Sequence, residues 1–253
     1  MFLFLLALSG LAWSIVYVDA VRVGLRDRTY AMPLFALGLN LCWEVLNAIV
    51  ALPGDGRFQG VIDVCWAALD IGILYTYFRY GRRYWPRSVP SWIFFGWTLL
   101  VIAASLLLQL LFMHEFGTRT GPAYAAFLQN LLMSVLFIHM FVARRGAEGQ
   151  SLLIAVAKWI GTLAPTIAFG VLGHSVFLLA IGVLCGVFDL IYIGMMLWPA
   201  GRWVAWTSRP DAPAGSSPPR RAGLEGHGAG DARPGCAAAA ATVPAPPPPA
   251  PPR

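Results

Sequence analysis

The sequence has little charge: Asp, Glu, Lys and Arg make up only 12% of its 253 residues, against about 25% in an ordinary soluble domain. Hydrophobic residues account for 58% of the chain, and the mean hydropathy is +0.67. A single compact core of this size cannot hide so much apolar surface from water. This excludes a soluble globular enzyme or a disordered protein for most of the length, and we expect the chain to lie in a lipid bilayer.

Lysine is almost absent, because the chain has a single lysine, Lys158, beside 17 arginines. The formal net charge is +6. The arginines lie in loops and in the C-terminal part, a distribution that indicates membrane topology and no nucleic-acid partner. The four cysteines lack the spacing of a zinc site or of a disulfide framework.

Motifs that bind diphosphates or metal ions are missing as well. The chain contains no DDxxD, NDxxD or DxDD run, no P-loop, no HExxH and no GxSxG. Chemistry that begins by ionising a diphosphate is therefore unsupported, and proton chemistry by isolated carboxyl groups is what remains.

Seven apolar runs, bounded by charge, proline or glycine, are long enough to span a membrane. They cover residues 2–18, 30–52, 58–78, 90–113, 122–142, 151–171 and 175–199. Continuous hydrophobicity favours helices over the strands of a barrel. The predicted fold is an all-α, seven-helix transmembrane bundle over residues 1–206, and the Pro/Ala-rich composition of residues 207–253 predicts a disordered cytoplasmic tail.

Arginine placement predicts the orientation of the bundle. The loops after the first, third and fifth runs hold nine arginines and the opposite loops hold two, which places the N-terminus outside and the C-terminus in the cytoplasm. We expect a multi-pass protein of the bacterial cell membrane. Aromatic residues near the ends of the runs are interpreted as interfacial anchors: Tyr17, Tyr30, Tyr84, Trp85, Trp92, Trp198, Trp203 and Trp206.

Four acids lie inside the runs, where a charged side chain costs about 2.5 to 3.5 kcal/mol. In the second run, Asn40, Glu44 and Asn47 project from one helical face with Trp43 on its flank. Apolar surroundings favour the neutral form of a carboxyl group, which would leave Glu44 a proton to donate. The plain alternative is an acid that only hydrogen-bonds neighbouring helices.

The third run carries Asp63, Trp66 and Asp70 on one stripe about 10 Å long. Asp63 lies close to the end of the run, where water can hydrate it, whereas Asp70 is nearer the middle of the membrane. A functional role for Asp70 competes with a helix-packing hydrogen bond.

In the seventh run Asp189 has apolar neighbours for more than two turns on each side, apart from Tyr192. It is either functional or the partner of a Tyr or Asn on another helix. Lys158 lies within about two turns of the cytoplasmic end of the sixth run and is expected to snorkel. Gln129 and Asn130 are expected to bridge helices.

At these residues the chain resembles the integral-membrane terpene cyclases of fungal meroterpenoid and indole-diterpene pathways and their bacterial relatives. The resemblance covers about residues 1–200 and rests on Asn40, Trp43-Glu44 and Asn47, on Trp66-Ala-Ala-Leu-Asp70 running into Tyr75, and on Asp189 with Tyr192. It implies a cyclisation without metal or cofactor. An acid protonates a terminal epoxide or alkene of a prenyl chain, a cation cascade closes rings, and a base removes a proton.

Glu44 or Asp189 suits the role of general acid, and Asp70 is a third catalytic candidate. The substrate-binding candidates are Asn40, Trp43, Asn47, Asp63, Trp66, Phe188 and Tyr192. The aromatic candidates can face cationic intermediates, and each desolvated cation–π contact stabilises such an intermediate by about 2 kcal/mol. The expected partners are a prenylated small-molecule substrate and the bilayer, which would deliver that substrate laterally.

Two other classes of protein remain open at this point. A proton-coupled transporter would use the same carboxyl groups to load and release protons, although such folds usually show repeats and broken helices, and neither is visible in the sequence. A receptor or scaffold would dock partners through its tail, and the buried acids would then serve packing alone.

Overall fold

The computed structural model describes residues 1–54 and 56–198, and these residues form six long apolar helices. The helices are α1 (Phe2–Arg26), α2 (Leu34–Ala51), α3 (Arg57–Tyr80), α4 (Ser91–Ala143), α5 (Leu152–Pro165) and α6 (Val176–Leu197). A 3₁₀ turn at Gly81–Tyr84 follows α3, and a π-helical stretch at Thr166–Leu172 extends α5. The all-α prediction is confirmed. The tail predicted over residues 207–253 lies outside the described residues.

Two of the helix starts are capped by serine side chains. Ser151 before α5 and Ser175 before α6 each accept a hydrogen bond from the backbone N–H three residues later, at 3.0 and 3.3 Å. Each cap satisfies one of the N–H groups that have no partner within the helix, which matters more in lipid because water is not available to replace the bond.

The 53-residue helix α4 is broken at Gly117, whose φ of 74° and ψ of 163° are accessible to glycine almost alone. We call residues 91–116 its first limb and residues 118–143 its second limb. The sequence predicts two separate spans here, 90–113 and 122–142, where the structure has one helical element with a bend.

The two limbs of α4 run back against each other. The side chains of Gln109 and Gln129 are 2.6 Å apart, and the rings of Phe116 and Tyr124 have centroids 5.3 Å apart. In a straight helix, twenty residues would separate the two glutamines by about 30 Å. The break at Gly117 therefore turns α4 into a helical hairpin.

The six helices close into a ring in which each packs on two neighbours. Helix α1 contacts α3 and α5, α2 contacts α3 and α4, and α6 contacts α4 and α5. Large side chains such as Leu99, Leu107 and Leu190 are exposed on the outside, whereas carboxyl, amide and hydroxyl groups are buried. This distribution is the reverse of a water-soluble protein and fits a bundle surrounded by lipid.

Helix α1 is longer than predicted, since it ends at Arg26 and not at residue 18. Tyr17 therefore lies well inside the helix, is 3% exposed and packs in the main core with Val16, Leu37 and Ile73. The interpretation of Tyr17 as an interfacial anchor is wrong. It relied on Arg22 and Arg26 marking a loop, but both belong to the last turns of the helix.

Candidate active site

Two carboxyl groups from different helices meet at one amide in the interior of the bundle. The Nδ2 atom of Asn40 lies 3.0 Å from Glu44 Oε1 and 2.9 Å from Asp70 Oδ2. Asn40 and Glu44 lie one turn apart on α2, as their spacing predicts, and Asp70 comes from α3. All three residues are buried.

Tyr17 from α1 completes this group, which we call the acid cluster: Tyr17, Asn40, Glu44 and Asp70. The Tyr17 hydroxyl donates to Glu44 Oε1 at 2.6 Å and accepts from Asn40 Nδ2 at 2.6 Å. Three helices thus contribute to one hydrogen-bonded unit. The sequence does contain a signal for Tyr17, since its hydroxyl lies within an apolar run. Because Tyr17 is near the predicted end of that run, it was interpreted as an interfacial anchor and not as a site residue.

No Lys or Arg side chain in the described part of the chain forms an ion pair with Glu44 or Asp70. Two ionised carboxylates beside one amide would repel each other, and both would lose their hydration. A proton retained between the two groups removes most of that cost. Within the described residues, Glu44 Oε2 and Asp70 Oδ1 are buried without a hydrogen-bond partner, so each carboxyl keeps one oxygen for a proton.

Two glutamines hold the amide of Asn40 in this orientation. Gln129 Nε2 donates to Asn40 Oδ1 at 3.3 Å, and Gln109 Nε2 donates to Gln129 Oε1 at 2.6 Å. Because the Asn40 oxygen is occupied by a donor, its NH₂ group is directed to the carboxyl side. Gln129 bridges helices, as predicted. Gln109, which sequence reasoning missed, joins the first limb of α4 to the same chain.

Asp189 belongs to a second buried polar group with Lys158 and Ser134, which we call the ion-pair cluster. Lys158 Nζ donates to Asp189 Oδ1 at 2.8 Å and to Ser134 Oγ at 2.6 Å. The side chains of Lys158 and Asp189 are each 1% exposed. The prediction that Lys158 snorkels is wrong, because its ammonium group crosses from α5 to the carboxylate on α6.

The aromatic substrate-binding candidates lie in different surroundings. Trp66 Nε1 donates to Ser14 Oγ at 3.0 Å, and its ring centroid is 5.8 Å from that of Tyr17. Trp43 Nε1 donates to the carbonyl of Pro122 at 2.9 Å. Trp66 therefore lies against the acid cluster, while Trp43 ties α2 to the second limb of α4.

The other two aromatic candidates are on α6. Phe188 is half-buried beside Asp189. Tyr192 is buried, its hydroxyl donates to Gln150 Oε1 at 2.6 Å, and its ring packs on Phe137 with a centroid distance of 5.6 Å. Tyr192 thus faces the core, toward the loop before α5.

The two remaining polar candidates do not join the acid cluster. Asn47 Nδ2 donates to the carbonyl of Trp43 one turn earlier at 2.7 Å, so it does not reach Glu44 by a hydrogen bond. Asp63 accepts from Gln59 Nε2 at 2.8 Å and is fully buried, which differs from the hydrated position expected near the end of a span.

The second limb of α4 contributes to both polar clusters. Gln129 reaches the acid cluster, whereas Ser134 binds Lys158 and Asn130 donates to Thr162 Oγ1 at 2.6 Å. Across the described residues no direct hydrogen bond or ion pair joins the acid cluster to the ion-pair cluster. Residues 1–54 and 56–198 also contain no group of three or more His, Cys, Asp or Glu side chains arranged to hold a metal ion.

Two grooves lie side by side between α1 and α5: one of about 340 Å³, which also borders the Asp19–Arg22 ion pair, and one of about 170 Å³, which is lined by apolar residues alone. Ile15 and Leu153 line both of them. Ser14 lines the larger groove and accepts the hydrogen bond from Trp66, whose ring contacts Tyr17. Two side chains, Ser14 and Trp66, thus connect this groove with Tyr17 of the acid cluster.

A multi-pass membrane bundle that buries carboxyl groups in its interior defines the class of this protein. The family model of the Pyr4-like transmembrane terpene cyclases matches residues 1–200. The chain belongs to this family, and it is a membrane terpene cyclase whose substrate is a terpenoid. The resemblance inferred from the sequence is confirmed.

Fungal relatives support the assignment. Pyr4-family terpene cyclase mfmH of Annulohypoxylon moriforme is 31% identical over 167 residues, 65% of this chain and 68% of that protein. Terpene cyclase pyr4 of Aspergillus fumigatus is 24% identical over 206 residues, 75% of this chain and 83% of that protein. Terpene cyclase ascF of Acremonium egyptiacum is 32% identical over 80 residues, 32% of this chain and 29% of that protein. No solved structure matches the chain.

Proposed function

We propose that this cyclase closes rings in the prenyl chain of a prenylated natural-product precursor, and that a proton held by Glu44 and Asp70 starts the reaction. The observation that carries this proposal is the meeting of the two carboxyl groups at Asn40, buried in an apolar bundle and without an ion-pair partner among residues 1–54 and 56–198. A neutral acid in a water-excluded site can donate a proton, and the same dryness protects the resulting cation from water.

The proposed reaction needs a proton transfer and no leaving group. The acid cluster protonates a terminal epoxide oxygen, whose C–O bond then breaks, or a terminal alkene carbon. Neighbouring double bonds attack the resulting cation and form C–C bonds. A base finally takes a proton from carbon, and the C–H electron pair becomes a double bond. The product is therefore an isomer of the substrate, without a role for metal or cofactor.

Aromatic rings beside the acid cluster suit the cationic intermediates. The Tyr17 ring lies between those of Trp13 and Trp66, with centroid distances of 5.9 and 5.8 Å. Each ring that faces a desolvated cation contributes about 2 kcal/mol. Trp66, already a sequence candidate, is the substrate-binding residue that this geometry supports best. The substrate-binding roles of Trp43, Phe188 and Tyr192 remain predictions.

The bilayer is the proposed route of access. A prenyl chain of the substrate would lie in the two adjoining grooves between α1 and α5 and reach the acid cluster past Ser14 and Trp66. We also propose that the two limbs of α4 cross the bilayer separately, which gives seven crossings, with the N-terminus outside and the C-terminus in the cytoplasm. Membrane-impermeant labelling of single cysteines in the turn at Gly117 and in the loop after α1 tests this topology, because the two labels should react from opposite sides.

The decisive assay incubates membranes that contain the full chain with prenylated aromatic substrates, with and without a terminal epoxide. We expect products of unchanged mass and different retention. In heavy water, initiation at an alkene leaves one deuterium on carbon, whereas initiation at an epoxide leaves it on a hydroxyl that exchanges. Proton-dependent solute uptake without an isomeric product would contradict the proposal and favour a transporter.

A further inference from the structure

The ion-pair cluster differs in charge from the acid cluster. Among the described residues no Lys or Arg pairs with the two carboxyl groups of the acid cluster, whereas Asp189 has a lysine at 2.8 Å. The other ion pairs of the described residues, Arg22–Asp19, Arg26–Asp27 and Arg83–Glu148, each include at least one side chain that is more than 40% exposed. Lys158–Asp189 is thus a fully buried pair, and burial makes each partner depend on the other for its charge.

The hydrogen bonds of Ser134 identify Lys158 as the donor in the contact between the two side chains. Its hydroxyl donates to the backbone carbonyl of Asn130 at 2.9 Å, so its oxygen is left to accept from Lys158 Nζ at 2.6 Å. Lys158 therefore donates to Ser134 and to Asp189 Oδ1, as an ammonium group with three donors can. The thiol of Cys185, one turn before Asp189, is directed to the carbonyl of Phe127 at 3.9 Å.

The second carboxyl oxygen of Asp189 takes no part in the contact with Lys158. Asp189 Oδ2 is buried and has no hydrogen-bond partner among residues 1–54 and 56–198. Tyr192, one turn further along α6, donates to Gln150 and does not satisfy it. The acid cluster has unpartnered carboxyl oxygens too, so what distinguishes Asp189 is the lysine on its other oxygen. An ammonium group at that distance favours a carboxylate, whose free oxygen can then accept a proton.

We infer that Lys158 is a positioning residue that keeps Asp189 in its carboxylate form, so that Asp189 is the proton acceptor that ends the cyclisation. The second part rests on the proposed function. In that step a C–H bond next to the carbocation breaks, its electron pair forms the C=C bond, and the proton goes to Asp189 Oδ2. Exchange with water afterwards returns a proton to the acid cluster and removes one from Asp189.

The charge state can be tested without any substrate. Infrared spectra of the purified full chain in lipid nanodiscs show a carbonyl stretch for a protonated carboxylic acid, which a carboxylate lacks. We expect Asp189→Asn to remove no such band at neutral pH. Lys158→Met should add one, and Asp189→Asn in the Lys158→Met background should abolish it. A band lost from the wild-type spectrum on Asp189→Asn alone, or no new band in Lys158→Met, overturns the inference.

The proposed role of Asp189 as proton acceptor is tested by comparing what two variants, Glu44→Gln and Lys158→Met, do with the substrate. Glu44→Gln should leave substrate unreacted, whereas Lys158→Met should still consume it. Lys158→Met should lower formation of the native product about 100-fold or more and release alkene isomers or water-quenched alcohols. Lys158→Met that leaves substrate untouched, as Glu44→Gln does, refutes the acceptor role. If the wild type forms no cyclised product at all, the proposed function fails, while the infrared result on Lys158 still stands.

Discussion

Replacing Glu44 by glutamine removes one proton site and leaves the shape of the acid cluster almost intact. The Oε1 atom of the new amide can still accept from Tyr17 and Asn40, which bind Glu44 Oε1 at 2.6 and 3.0 Å. The new NH₂ group replaces Oε2, which has no partner within the described part of the chain. Burying an unsatisfied NH₂ group costs about 1–3 kcal/mol of stability. The variant should therefore fold.

The effect on catalysis should be much larger than this. A general acid contributes about 10² to 10⁴ in rate, which corresponds to about 3–5 kcal/mol of activation free energy. We expect Glu44→Gln to lower turnover by that factor while protein level and monodispersity change little. Because the two carboxyl groups share a proton in this scheme, adding Asp70→Asn should lower the rate little further than Glu44→Gln alone.

The assay measures the initial rate of isomer formation in membranes normalised for the amount of full-length chain, with thermal stability followed by size-exclusion chromatography after heating. Glu115→Gln is the matched control, since it makes the same chemical change at an exposed position of α4. The control should keep wild-type activity. Glu44→Gln with more than a tenth of the wild-type rate, or strictly multiplicative losses in the double variant, would refute proton sharing.

Three further predictions concern other parts of the structure. Tyr17→Phe removes a donor to Glu44 and should reduce turnover about tenfold at a stability cost near 1 kcal/mol, measured in the same assays. Gly117→Ala imposes a backbone strain of about 1–3 kcal/mol and should lower the melting temperature, whereas Gly96→Ala in a helix with open space around it should not. A hydrogen bond from Arg26 lowers the pKa of Asp27, so its small stabilisation exists above the unfolded pKa and is lost as the pH falls below about 4. Asp27→Asn should flatten that part of the melting profile, and an unchanged profile would contradict the assignment.

Local periodicity predicted the features that one helix determines by itself. Asn40 and Glu44 share a face of α2 because residues four apart do so in any α-helix. The all-α class followed from continuous hydrophobicity in a solvent that leaves the backbone few alternatives. The predicted spans 90–113 and 122–142 leave Gly117 in the connection between them, where the structure has its turn, but the sequence did not indicate that helical structure continues almost up to that glycine on both sides.

Partners across helices could not be predicted from the sequence. Whether Asp70 faces Glu44, and whether Lys158 reaches Asp189, depends on how each helix is rotated and how deep it lies beside its neighbour. A hydropathy profile averages over all faces of a helix, so it does not indicate which face meets a neighbouring helix. Lys158 illustrates the consequence: its distance from the span end predicted snorkelling, but its ammonium group lies 2.8 Å from the carboxylate of Asp189 on α6.

In the proposed scheme, the same chemical group takes opposite roles because its neighbours differ between the two clusters. Glu44 has another carboxyl beside it, and its donors are a phenol and an amide, so retaining a proton relieves repulsion. Asp189 has the Lys158 ammonium group beside it, which is the geometry of an ion pair. The second limb of α4 stands between them and contributes side chains to both clusters. In the proposed scheme the proton is therefore donated at one cluster and accepted at the other, and Gln129 and Ser134 hold the two clusters to the same limb of α4.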